Sequence, residues 1–137
     1  MTLYMNIKQL GKRKNTVHKV PFEYDTAPST LRELITETVK ICVAQYISRM
    51  DRGDAVLTDE QIDDMGRIGK IAFGIVYGEK KPEVKEAVET AIQGFEDGLF
   101  RVFRGMDELT ELNRKEEFNE GDEITFIRLT MLAGRMW

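Results

Sequence analysis

The chain predicts an α+β fold with strands toward both ends and helices between them. Three observations carry that expectation. Residues 3–8 and 20–24 alternate apolar and polar with a period of two, and residues 31–50 and 58–97 repeat apolar side chains at helical spacing. Residues 123–132 form a dense run of β-formers. At 137 residues, 42% hydrophobic and 32% charged, the composition is that of one globular domain rather than a disordered or fibrous chain.

The elements follow in order. Leu3, Met5 and Ile7 point one way and Tyr4, Asn6 and Lys8 the other, as in a half-buried strand. Gly11 to Asn15 is a polar turn, and Val20, Phe22 and Tyr24 resume the alternation. Pro21 has no amide proton for a ladder, so this second strand is expected at an edge or bulged there. Thr30 and Glu33 have capping-box spacing and open a helix whose apolar side carries Leu31, Leu34, Ile35, Ile41, Cys42, Ala44 and Tyr46. Asp51 to Asp54 breaks it.

A second capping box, Thr58 to Gln61, opens a helix with Ile62, Met65, Gly69, Phe73 and Val76 as its stripe. Gly66 and Gly69 suit close helix–helix approach, Gly78 is the expected C-terminal cap, and Pro82 suits the first turn of a third helix. That helix carries Val84, Ala87, Val88, Ala91, Ile92 and Phe95, and Gly98 ends it. Leu99 to Arg104 reads as a strand and Gly105 to Glu108 as a turn, while residues 109–118 are polar and remain unassigned. Asn119 to Asp122 makes a tight turn into a strand over 123–132. Apolar residues lie on both sides of that strand around Ile127, which predicts a central strand covered on both faces.

Charge is unevenly spread. Residues 1–22 contain Lys8, Lys12, Arg13, Lys14 and Lys19 with no acid, while the rest of the chain has fifteen basic and twenty-four acidic residues, a balance of −9. A basic tip on an acidic body steers an acidic protein partner, but five charges are a weak nucleic-acid footprint, so no nucleic acid is expected. No run approaches 18 apolar residues and no signal-peptide core is evident, so no membrane segment is expected. The lone Cys42 precludes an internal disulfide and favours a cytoplasmic location.

Catalytic material is sparse. His18 has no second histidine, and one His with one Cys does not close a zinc site. Cys42 sits among apolar helical residues, where it acts as a small hydrophobe. The stretch from Gly66 to Lys70 lacks Walker spacing and lies within a helical pattern. Asp59, Glu60, Asp63 and Asp64 complement a helix N-terminus. No nucleophile–base pair, metal or cofactor is expected, and the chain does not read as an enzyme. Phe73, Gly74, Tyr77 and Gly78 read as a hinge where helices cross or, alternatively, as a groove for a partner.

Met1 to Leu34, with its hairpin turning at Gly11 and its passage from Glu23 to Thr30 into a helix, resembles the start of a ubiquitin-like β-grasp domain. Asn119-Glu-Gly-Asp122 and the strand leading to Gly134 are similar to the last strand of the molybdopterin-synthase and thiamine sulfur-carrier proteins. The resemblance implies one domain over 1–137, a grasp sheet with one long helix and an inserted helical hairpin. Its grasp elements would be 1–50 and 99–134, with the helical insertion at 51–98 and a tail at 135–137. Those carriers and ubiquitin end in Gly-Gly, whereas this chain reads Ala133-Gly134 followed by Arg135, Met136 and Trp137. The tail is expected to fold back and bury Met136 and Trp137.

The resulting expectation is a non-enzymatic ubiquitin-like module that binds an acidic protein partner, with Lys12, Arg13, Lys14, Tyr4 and Tyr77 as binding residues. The alternative is a carrier or tag activated at Gly134 after loss of residues 135–137. The competing fold is another α+β arrangement with helices over one face of an antiparallel sheet.

Overall fold

Alternation fixes which side of each strand meets the core. The computed structural model describes residues 1–9, 17–51, 64–75 and 82–129. In strand β1 (Thr2–Gln9), Leu3, Met5 and Ile7 are fully buried, and Tyr4, Asn6 and Lys8 take the opposite face. Strand β2 (Val17–Glu23) pairs antiparallel with β1 and lies at the sheet edge, as Pro21 predicts. The amide of Tyr4, which stands opposite Pro21, donates to Asp122 O at 2.9 Å on the other side of β1. At this pair β1 therefore directs no donor toward β2, and the missing proline donor faces the open edge.

Five strands form one mixed sheet in the order β2-β1-β5-β3-β4, with β3 at Phe100–Arg104, β4 at Asp107–Leu109 and β5 at Glu123–Arg128. β1 and β5 are parallel; β5 pairs antiparallel with β3 on its other side. Register places Met5 beside Ile124, Ile7 beside Phe126 and Phe126 beside Val102, which makes one continuous apolar face.

Three helices complete the α+β architecture: α1 (Leu31–Asp51), α2 (Asp64–Phe73) and α3 (Val84–Glu96). Their buried residues join the inner face of the sheet in a single cluster. Phe73 meets Phe126 and Phe100 edge-on, with ring centroids 5.1 and 5.8 Å away. Such pairs contribute about 0.5–1.5 kcal/mol each beyond area burial. Burial on α1 repeats at Leu31, Leu34, Ile35, Thr38, Val39, Cys42, Val43 and Tyr46, the helical stripe in full. Ala44, expected on that stripe, is exposed, because the spacing from Leu31 lands on Val43 instead.

The α1 capping box forms with a shifted return bond. Thr30 Oγ1 accepts the Glu33 amide at 3.1 Å, and the Glu33 carboxylate accepts the amide of Ser29, at 3.0 Å, rather than that of Thr30. Residues 110–122, most of them unassigned from sequence, strap this helix start. The Arg32 amide donates to Leu112 O, the Glu116 amide donates to Ser29 O, and Leu112 and Phe118 are buried beneath. Arg104 ties the strap to β3 through Glu116 at 3.1 Å and lies 5.5 Å above the Phe118 ring centroid.

Several boundaries differ from expectation. α2 stops at Phe73 because Gly74 takes φ +70, so the cap is Gly74; Gly78 lies outside the described residues, as does the Thr58–Gln61 box. Pro82 precedes the extended cap residue Glu83 and thus stands just before α3, not in its first turn. α3 closes in a Schellman motif, with Gly98 at φ +75 donating to Phe95 O and Leu99 donating to Gly94 O, which delays β3 to Phe100. The β3–β4 turn is only Gly105-Met106, and β4 begins at Asp107. β5 is central as expected, yet Thr125 and Ile127 are only half-buried, so the described residues do not cover its second face.

One polar chain crosses the core. Thr38 Oγ1 donates to Leu34 O at 2.6 Å, which commits its proton and leaves it to accept the Tyr24 hydroxyl at 2.6 Å. Burial raises the Tyr24 phenol above its ordinary range, against the opposing effect of that hydrogen bond. Thr38→Val is expected to lose about 1–3 kcal/mol in denaturant unfolding, because it strands the buried phenol. Tyr24→Phe should cost less, since Thr38 keeps its bond to Leu34. The double variant should fall short of the sum. Raised in the fold, the phenol contributes stability at pH values below its unfolded pKa of about 10 and loses it as pH rises further. Tyr24→Phe should therefore flatten the alkaline limb of a stability–pH curve.

Candidate functional site

Among the described residues, the face of the sheet opposite the helices is open. Strand alternation and register place there Tyr4 between Pro21 and Glu123, Thr125 between Asn6 and Phe103, and Ile127 between Lys8 and Arg101. Tyr4, Phe103, Thr125 and Ile127 are half-buried; Lys8, Pro21, Arg101 and Glu123 are exposed. Arg101 stands 4.0 Å from Glu108 across β3 and β4, an exposed pair of little energetic weight.

The β2 side of this face is shaped by a bulge. Met5 pairs with Val20 and Ile7 with Val17, so Asn6 alone opposes both His18 and Lys19. Lys19 takes φ +50, the left-handed conformation that costs a side-chain-bearing residue of order 1 kcal/mol. Asn6 holds it there: its Oδ1 accepts the Lys19 amide at 2.8 Å. The Asn6 Nδ2 group donates the other way, to Glu123 at 3.2 Å and Thr125 Oγ1 at 3.3 Å, so one side chain ties β2, β1 and β5 together. Between those strands lies a groove of about 420 Å³, whose lining includes Lys8, His18, Lys19, Glu123, Thr125 and Ile127.

Of the residues singled out from sequence, Tyr4 is on this face, and exposed His18 lines its groove. Lys12, Arg13, Lys14, Tyr77, Gly134, Met136 and Trp137 lie outside the described residues. Cys42 is buried where α1 meets α2, with its Sγ 3.5 Å from Met65 O. Gly66 to Lys70 is helical, and Gly69 is buried. Among the described residues no group of three or more His, Cys, Asp or Glu side chains is placed to hold a metal, and no helix is long and apolar enough to cross a membrane.

Sequence reading missed Asn6, Phe103, Thr125 and Ile127 as site residues. Alternation already put Asn6 on the outer side, but its role depends on pairing with β2 and β5, which only the assembled sheet supplies. Comparison with protein-family models, with curated proteins and with solved structures gives no match.

The Asn6 arrangement generates a stability prediction. Asn6→Ala should lower unfolding free energy by about 0.5–1.5 kcal/mol, because it removes the exposed bond that holds the Lys19 amide in the bulge together with the ties to β5. Lys19→Gly relieves the left-handed side chain and should gain up to about 1 kcal/mol, read as a higher denaturation midpoint.

Proposed function

We propose that the chain is a ubiquitin-like β-grasp module, without catalysis of its own, that binds a protein partner through the open face of its sheet. The observation that carries this reading is that face itself: Tyr4, Phe103 and Ile127 stand half-buried on it among exposed polar and charged neighbours. Aromatic and aliphatic side chains inside a polar rim are the composition of a recognition surface.

The grasp reading is supported by topology. An antiparallel hairpin leads into α1, and the final described strand returns parallel to β1 at the centre of the sheet. α2 and α3 fall within residues 51–98, where the resemblance calls for an insertion. Lys12, Arg13 and Lys14, which follow β1 in the chain, would add long-range attraction for an acidic partner. Buried Cys42, the chain's lone cysteine, fits a cytoplasmic setting.

The test uses a photo-crosslinking amino acid placed at Phe103, with Glu89 on the exposed side of α3 as the control. In the cells of origin, position 103 should give a discrete protein adduct that position 89 does not. Replacing Lys12, Arg13 and Lys14 with glutamate should lower its yield. Equal adducts from both positions, or none from 103, would show that this face is not the interface.

A further inference from the structure

Resting on the module reading, we infer that the groove between β2, β1 and β5 is the docking site for an acidic peptide segment of the partner, one that presents carboxylates around an aliphatic side chain. Three features of the groove define that ligand.

The first is its charge. Lys8 and Lys19 border the groove, His18 adds ring nitrogens, and Glu123 is the single carboxylate lining it. Glu123 is already engaged by the Asn6 amide at 3.2 Å and by Lys19 at 3.8 Å. Lys8 is exposed and has no carboxylate partner among the described residues. An incoming carboxylate therefore meets one uncommitted ammonium and a second only loosely held.

The second is the surface between these charges. Ile127 supplies a half-buried aliphatic patch, and Thr125 supplies a hydroxyl. That hydroxyl accepts from Asn6 Nδ2 at 3.3 Å, which leaves its own proton to donate to a ligand oxygen. The third is the bulge, which sets the exposed His18 and Lys19 side by side opposite Asn6 at the groove's edge. A carboxylate fits this balance better than a phosphate, because Glu123 within the groove repels a dianion more strongly than a monoanion.

The experiment is a titration of the full isotope-labelled chain, followed by amide NMR. The probe is a capped pentapeptide with isoleucine at its centre and glutamate at the other four positions. Saturable shifts are expected at Asn6, Lys19, Thr125 and Ile127. Binding should weaken about tenfold in Lys8→Glu combined with Lys19→Glu, and several-fold at about 0.5 M salt, where charges more than a few ångströms apart are screened. Lys8→Glu alone, an exposed change that leaves the bulge intact, should weaken binding by a smaller factor and guards against misfolding of the double variant.

The proposal is overturned if the shifts map elsewhere, if a lysine-substituted peptide binds equally well, or if no shift occurs at millimolar peptide. Tighter binding of a phosphoserine peptide at the same residues would also overturn it and make the groove a phosphate site. Loss of peptide binding with crosslinking at position 103 retained would remove the groove assignment while leaving the module reading in place.

Discussion

The parallel pairing of β1 with β5 constrains everything else in the fold. The two strands are neighbours from Tyr4–Glu123 to Gln9–Arg128, although most of the chain separates them in sequence. Parallel neighbours cannot be joined by a tight turn, so the intervening chain must cross the sheet. The buried residues of α1, α2 and α3 join Met5, Ile7, Val102 and Phe126 in one cluster on one side. The described helices are thus confined to a single face, and among the described residues the opposite face is left uncovered.

That asymmetry is mirrored in how each face satisfies its polar groups. On the covered side, Tyr24 reaches Thr38 and Thr38 reaches Leu34 O, a short chain with no proton left over. A buried donor without a partner would be costly there, which is why the chain is complete. On the open side, Asn6 directs its amide to neighbouring strands, while Thr125 and Lys8 keep hydrogen-bonding capacity facing outward. Capacity of that kind is tolerated because water supplies partners until a ligand replaces it.

Local signals in the sequence account for the elements that depend on neighbouring residues. Alternation at Leu3, Met5 and Ile7 places β1, Thr30 with Glu33 places the start of α1, and Gly98 places the end of α3. The features that were not legible depend on distant pairing. Residues 110–118 look polar because they carry only two buried apolar anchors, Leu112 and Phe118, and their order comes from bonds to Ser29 and Arg32. Composition marks Gly78 as a helix stop, but Gly74 already takes φ +70 and ends α2 after Phe73. Ile127 looks like a core residue because hydropathy does not say which face of a central strand the helices will cover.

Charge is divided by stretches of the chain more than by the two faces of the sheet. The helices are nearly balanced, with six basic and seven acidic residues across α1, α2 and α3, whereas residues 107–122 hold seven acidic and two basic residues. Lys8, Lys19 and Arg101 are on or beside the sheet's open side, and the basic Lys12, Arg13 and Lys14 follow Lys8 in the chain. For the acidic partner proposed above, approach to residues 107–122 would be repulsive and approach to the Lys8 and Lys19 side of the sheet attractive over roughly a Debye length, about 10 Å at moderate salt. Orientation would then be selected before contact, and Ile127 and Phe103 would act only once the correct face is presented. On this view the acid concentrated at residues 107–122 contributes to specificity by turning the partner away from that stretch, and the few basic residues near the hairpin need not bind strongly to be decisive.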